Sequence, residues 1–339
     1  MILRRATPSL VPARAVSSSQ GPARTCVVHL VRQANGPEPL AAFLDSWRRC
    51  EPGVECDLVL ALKGFAGAQE AEPYLAAAHD LKAEALFFAD QGLDLGTYFS
   101  AAARLRRERY CFLNSYSELL VEGWLSKLEA ALAQPQVGIA GASGSWASTH
   151  SWVTYLLGMP SSYRGLLPER RVARDAFLAI ELERSGEQAR TLRASLSAKL
   201  RTPPLMLEQI LAFEAFPAYH LRTNAFIIGH DLLARLRLHA IRRKMDAYVL
   251  ENGRSSITRQ VQRLGLRTLV VDRAGASYDH REWDRSYTLW QGEQEGLLVA
   301  DNQSRSYAQG AAARRSILST FAWGDRADPC GAGDAGALA

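Results

Sequence analysis

Between Cys26 and Ala142 one pattern recurs: a short apolar run, a turn, then apolar residues at helical period. The runs occupy 26–31, 57–62, 84–89, 110–113 and 137–142, and successive starts fall about 25–30 residues apart, the length of a strand, a crossover helix and two loops. Runs that stay apolar without alternating suit strands buried on both faces. The spacing therefore predicts an α/β fold, a mostly parallel, Rossmann-like sheet covered by helices on both sides. The intervening segments agree. Leu40, Phe43, Leu44 and Trp47 stand at i, i+3, i+4 and i+7 behind Gly36-Pro37-Glu38-Pro39, and Val121, Trp124, Leu125, Leu128 and Leu132 repeat the stripe in the fourth unit. These aromatics read as core.

After Ala142 the rhythm stops. Residues 143–217 are richer in Arg, Glu and Leu, with helical stretches near 172–184 and 188–200, and read as a helical insertion packed over the sheet. Strand-like segments return at 221–228 and 266–271, with helices expected over 231–243 and 256–264. The chain then divides into a disordered start (1–25), a first α/β half (26–149), the insertion (150–215), a second half (216–310) and a flexible tail (311–339) ending in small, turn-forming residues. The start carries arginines and no acids. It has the look of an organellar targeting segment, or of an over-extended start, and is set aside from the fold.

Composition removes whole classes. With 339 residues, 47% hydrophobic and 22% charged, the chain is neither disordered nor membrane-like, and no apolar run approaches the roughly 20 residues that cross a bilayer. It is expected to be soluble or peripheral. Five scattered cysteines without a CxxC fit a reducing, cytoplasmic location. The formal charge of +5 comes largely from arginines in helical stretches such as 104–109 and 235–244, as solvated faces or as a patch for an anionic partner. No helix-turn-helix, zinc spacing or RNP-like motif supports a nucleic-acid partner.

In an open α/β sheet ligands bind where the strands' carboxyl ends and their loops converge. The polar residues there are Arg32, Gln33 and Asn35 after the first run, Lys63 after the second, Asp90, Gln91 and Asp94 after the third, Asn114, Ser115 and Glu118 after the fourth, and Ser143 to Ser148 after the fifth. No GxGxxG follows the first strand and no GxxxxGK[ST] occurs, which argues against a dinucleotide dehydrogenase and a P-loop enzyme. Gly141-Ala142-Ser143-Gly144-Ser145 departs from a nucleophile elbow at its last position. Asp90 and Asp94, four apart around a glycine, suit ribose hydroxyls or a base edge; alternatively Asp94 caps the helix whose apolar face is Tyr98, Ala101, Ala102 and Leu105. Taken alone, Asn114-Ser115 spells a strand-end turn.

Tyr110-Cys111-Phe112-Leu113-Asn114-Ser115, then Gly123-Trp124-Leu125, then Pro135-Gln136-Val137-Gly138-Ile139-Ala140-Gly141, resembles the central segment of family-2-like glycosyltransferases of the GT-A fold. Asp90-Gln91-Gly92-Leu93-Asp94-Leu95-Gly96 resembles their Asn/Asp-x-Gly loop, and the likeness is more specific over 26–146 than over 216–308. The resemblance implies a nucleotide-diphosphate sugar donor held by Asp90, Asp94, Asn114, Ser115 and Arg254, and a glycan or other hydroxyl acceptor in a pocket lined by His220, Arg222 and Asn224. It implies inverting transfer to cell-surface polysaccharide or a secondary metabolite, with Glu251 as the base that takes the acceptor proton. Such enzymes commonly hold Mg²⁺ or Mn²⁺ against the diphosphate. Where the family places its metal-binding Asp, two residues after Asn114, this chain has Tyr116, a poor ligand for a hard cation. Three readings follow: Glu118, with His280, replaces the ligand; basic and hydroxyl groups meet the diphosphate; or the chain is an inactive binder of nucleotide sugar or glycan.

Overall fold

The computed structural model describes residues 23–185 and 203–329. Residues 1–22 of the expected disordered start, the helix expected at 188–200 and the last ten residues lie outside the described residues. Each apolar run forms a strand: β1 (Thr25–Arg32), β2 (Cys56–Lys63), β3 (Glu84–Phe88), β4 (Arg109–Leu113) and, after a short β5 (Glu118–Leu119), β6 (Val137–Gly141). They alternate with α1 (Glu38–Arg49), α2 (Ala68–Ala77), α3 (Leu93–Leu105) and α4 (Trp124–Leu132). Beyond β7 (Gly144–Ser145) come α5 (Thr149–Leu156), α6 (Arg170–Ser185) and α7 (Pro203–Ala212). The second half adds β8 (His220–Leu221), β9 (Ala225–Gly229), α8 (His230–Arg235), α9 (Lys244–Asn252), α10 (Ile257–Arg263), β10 (Arg267–Val271) and β11 (Ser277–Asp279). It closes with β12 (Val299–Ala300), α11 (Asn302–Ala308) and α12 (Ala312–Trp323).

Among the described residues the main sheet has eight strands, in the order β11-β10-β6-β9-β4-β1-β2-β3. Four of the five runs are adjacent and parallel, β3-β2-β1-β4. The fifth is not adjacent: β9 slots between β4 and β6, antiparallel to both. Both faces are covered, as unbroken apolar strands require. On one face Val28, Phe112 and Phe226 pack with Tyr98 of α3, Leu250 of α9, Val261 of α10 and Trp323 of α12. On the other, Val27, Leu60 and Cys111 pack with Phe43 and Leu44 of α1 and Trp124, Leu125 and Leu128 of α4. Each such large side chain, buried, contributes about 1.5–3 kcal/mol.

Four expectations need correction. The strand expected over 221–228 is two strands broken at Arg222-Thr223-Asn224, whose side chains bond elsewhere in the fold. The helix expected over 231–243 stops at Arg235, because the Gln260 side chain takes both the N–H and the C=O of Arg237. The insertion builds its own small core, Tyr155, Tyr163, Leu167 and Ala173 with Ile317, instead of spreading over the sheet. Finally, residues 312–323 of the expected flexible tail form α12, with Leu318, Ala322 and Trp323 buried and the Trp323 indole donating to the Leu289 carbonyl at 2.8 Å.

Candidate functional site

The carboxyl ends of β1 to β4 form one rim of the sheet, and the reversed β9 begins at that rim. Leu113 pairs with Ala225, and the Asn114 N–H donates to the Asn224 carbonyl at 2.8 Å, which sets Arg222, Thr223 and Asn224 beside the end of β4.

At the β1–β3 end of the rim, the Arg32 guanidinium grips both oxygens of Asp90 at 3.3 and 3.1 Å, and Lys63 Nζ lies 3.8 Å from the same carboxylate. The Arg32 hydrogen bond holds the Asp90 carboxyl below the usual range against its partial burial. Lys63 is itself buried, which lowers its pKa, with Asp94 and Asp90 opposing. Its ammonium donates to the Leu93 carbonyl at 2.7 Å, and Thr97 Oγ1 donates to that carbonyl at 3.1 Å. Those two bonds fix a turn in which Gly92 (φ 73°) and Leu93 (φ 48°) are both left-handed, a costly conformation for leucine. The turn delivers Asp94 to the first turn of α3. Gly92, not Asp94, is the N-cap there.

One turn along α3, Tyr98 is fully buried and stacks on Phe112 at 4.9 Å. Burial, then the charges of Asp94 and Glu251, raise its pKa well above that of a free phenol. Asp94 and Glu251, 157 positions apart in sequence, therefore lie within electrostatic reach of one hydroxyl. Glu251 sits in the last turn of α9, a helix absent from the sequence reading, and its Oε1 accepts from the Thr223 N–H at 3.2 Å and from Thr223 Oγ1 at 3.1 Å. Among the described residues Oε2 has no hydrogen bond. Glu251 also borders a void of about 10 Å³ walled by Leu221, Phe226 and Ile257, room for about one water.

At the end of β4, Asn114 Oδ1 accepts from the Tyr116 N–H and from Ser117 Oγ, both at 3.0 Å, so its carbonyl closes the turn that Asn114-Ser115 spells. Ser115 is buried beside it. Asn224 Oδ1 accepts from Ser143 Oγ at 3.1 Å, and its buried amide nitrogen has no partner among the described residues. Arg222 is buried and donates to Asp301 Oδ2 at 2.6 Å and to Gln303 Oε1 at 2.9 Å. Burial works against the Asp301 carboxylate, but Arg222 and the Ser304 N–H outweigh it and hold its pKa below the ordinary value. The other oxygen of Asp301 caps α11 through the N–H groups of Gln303 and Ser304.

The structure thus brings Asp90, Asp94, Asn114, Ser115, Arg222, Asn224 and Glu251 to one rim, and does not bring the remaining expected residues into it as ligands. Arg254 is exposed and donates to the Leu211 carbonyl, tying α9 to α7. His220 is buried with Nδ1 on the Ala218 carbonyl and its pKa lowered by burial, so it belongs to the floor and not to an open acceptor pocket. The metal pair is not assembled. Glu118 is held between Arg305 at 3.3 Å and Arg49 at 3.5 Å, while His280 follows β11, four places from β4 in the sheet, with its ring edge-on to Tyr219 at 4.9 Å. Among the described residues no three carboxylate, imidazole or thiol groups are placed to hold one ion. Glu118 and His280, the expected ligand pair, therefore do not meet at one ion. Sequence reasoning gave no role to Tyr98, Thr223 or Arg305; Lys63 carried a signal, a lysine closing an apolar run.

No protein-family model matches the chain, and no curated protein matches it either. Among solved structures, it is similar to mannosyltransferase PcManGT from Pyrobaculum calidifontis, solved with GDP-Man and Mn²⁺, at 11% identity over 91% of this chain and 77% of that one, TM-score 0.40. It is also similar to S. aureus TarS 1-349 at 12% identity over 35% of this chain and 34% of that one, TM-score 0.29. GalNAc-T7, solved with UDP, GalNAc and Mn²⁺, matches at 15% identity over 34% of this chain and 22% of that one, TM-score 0.28. The chain thus spans about a third or less of the last two. At TM-scores below 0.5, such likeness says nothing about what this chain does. Among the described residues no helix is long and apolar enough to cross a membrane.

Proposed function

We propose that this chain is a glycosyltransferase that moves a sugar, with inversion, from a nucleotide-diphosphate donor to a hydroxyl acceptor of glycan type. The observation that carries the reading is the convergence of Asp90, Asp94, Asn114 and Glu251, from four separate elements, on the carboxyl rim of one α/β sheet. Asp90 and Asn114 close strands three places apart, about 14 Å at ordinary strand spacing, a span that an extended nucleoside diphosphate bridges. In this reading Asp90 takes the ribose hydroxyls, with Arg32 and Lys63 fixing its carboxylate.

Glu251 has the form a general base needs. Thr223 holds one carboxylate oxygen, and the other is left to take the acceptor proton as that oxygen attacks the anomeric carbon. Acid–base work demands such positioning before any adjustment of pKa. Thermal-shift screening of UDP-, GDP- and TDP-sugars, followed by product analysis with the anomeric configuration read by NMR, tests the proposal. A donor that binds the native state raises the melting temperature. Absence of any stabilising donor, or product that retains configuration, contradicts it.

Tyr116, standing where the resemblance expects a carboxylate, favours a second reading, a chain that binds nucleotide sugar or glycan without transferring it. Donor hydrolysis or transfer excludes this one.

A further inference from the structure

We propose that Arg305, on α11, supplies the positive charge that meets the donor's diphosphate at the end of β4, where related chemistry uses a metal ion. The inference rests on the reading of the rim as a nucleotide-sugar site and identifies which group holds the most highly charged part of that ligand.

The turn after β4 has few oxygens to offer a cation. Asn114 Oδ1 is spent on Tyr116 and Ser117, position 116 carries a phenol, and both Glu118 oxygens face guanidinium groups. What the turn does have is a cation fixed above it. Arg305 NH2 donates to the Tyr116 carbonyl at 3.1 Å and NH1 to Glu118 Oε2 at 3.3 Å. A guanidinium carries five N–H donors in a fixed fork, so three remain, in the planar arrangement that suits phosphate oxygens.

The fold holds Arg305 there from two directions. Strands β12 and β5 pair with Ala300 opposite Glu118, which sets the start of α11 over the turn. Asp301, one residue further on, caps α11 and is locked by the buried Arg222. Three guanidiniums (Arg49, Arg222, Arg305) thus surround two carboxylates (Glu118, Asp301), leaving one net positive charge among these five groups. The Arg305 side chain is 37% exposed and Glu118 31%, and an ion pair so open to water is weak. A diphosphate can therefore displace Glu118 from Arg305 without dismantling a buried pair.

The test is titration calorimetry of the full chain with UDP, GDP and TDP, each in excess EDTA and again with Mn²⁺, on wild type, Arg305→Lys, Arg305→Ala and Glu118→Gln. One of the three nucleotides is expected to bind wild type equally, within about twofold, with and without Mn²⁺. Arg305→Ala is expected to weaken it by about 10–100-fold and Arg305→Lys, a single point charge, by less. Glu118→Gln keeps Arg305 in place and frees its fork, so it should bind as tightly as wild type or tighter. That variant serves even if Arg305→Ala fails to fold, because a metal-ligand role for Glu118 demands the opposite sign. Binding that needs Mn²⁺, Arg305→Ala binding as wild type does, or loss of binding in Glu118→Gln overturns the inference and leaves the parent reading standing. Failure of wild type to bind any of the three nucleotides, with or without Mn²⁺, overturns both.

Discussion

Arg222→Met is the perturbation whose consequence can be worked furthest. The substitution keeps most of the side-chain volume but removes, among the described residues, the only donor to Asp301 Oδ2, at 2.6 Å, while Asp301 is 1% exposed. Stripping one partner from a buried ion pair costs about 3–5 kcal/mol, because a buried charge is left behind. Here the Gln303 and Ser304 N–H groups still serve Oδ1, which places the cost near the lower end, about 3 kcal/mol. At about 2–4 °C per kcal/mol for a large domain, the melting temperature at pH 7 should fall by roughly 6–12 °C. The pH dependence has a definite sign. With Arg222 present, the folded pKa of Asp301 is depressed, so its stabilisation is full above the unfolded value of about 3.9 and is lost as pH falls through the folded value. Without Arg222, burial raises the folded pKa above the unfolded one, and protonation relieves the strain. The gap between variant and wild type should therefore narrow on acidification from neutral pH toward about pH 4. Circular-dichroism melts across that range make the measurement, and Arg222→Met combined with Asp301→Asn should recover most of the loss. A single variant melting within about 2 °C of wild type at pH 7, or a gap that widens on acidification, refutes the reasoning.

Three further outcomes are expected. Glu251→Gln should lower the transfer rate by about 10²–10⁴ while donor affinity holds, since the lost interaction belongs to the transition state; steady-state kinetics with separate donor titration decide it. Asp90→Ala should weaken donor binding by about 10–100-fold with a smaller effect on the maximal rate, as loss of a charged hydrogen-bond acceptor to ribose implies; calorimetry with the donor checks this. His29 is fully buried, stacked on Phe43 at 3.6 Å, and burial lowers its pKa to about 3. The unfolded chain therefore binds a proton below about pH 6.5 that the folded chain refuses, and stability should fall by on the order of 1.4 kcal/mol per pH unit between there and the folded value. His29→Leu should flatten that acid limb in urea titrations.

Much of the first half was legible because its signal is local. A strand buried on both faces must be apolar throughout, so β1 to β4 and β6 announce themselves whatever the rest of the chain does, and the polar residues that close them, Asp90 and Asn114, fall on the rim by topology. The same rule hides direction: an antiparallel strand buried on both faces reads like a parallel one, so the reversal of β9 had no signature. The helix ending at Arg235 was misjudged because its stop signal is a side chain 25 positions away, Gln260. The Ile317, Leu318, Phe321 and Ala322 stripe of α12 was present but thinned by Arg314 and Arg315. Arg305 had no signature because it acts on a group in another part of the chain, the Tyr116 turn. Glu251 was singled out by resemblance alone, and the Thr223 bonds that hold its carboxylate had no signal in the sequence.

The reversed β9 also has a consequence for how this chain comes into being. Its partners in β4 lie about 110–120 residues earlier, so a nascent chain carries β4 and β6 with their facing edges unpaired until the segment 225–229 has emerged. Closing so long a loop is slow, and an unpaired apolar strand edge invites association with other chains. A fragment ending at residue 149 should accordingly collect in the insoluble fraction, and co-expression with residues 150–339 should return part of it to solution by supplying the missing strand in trans.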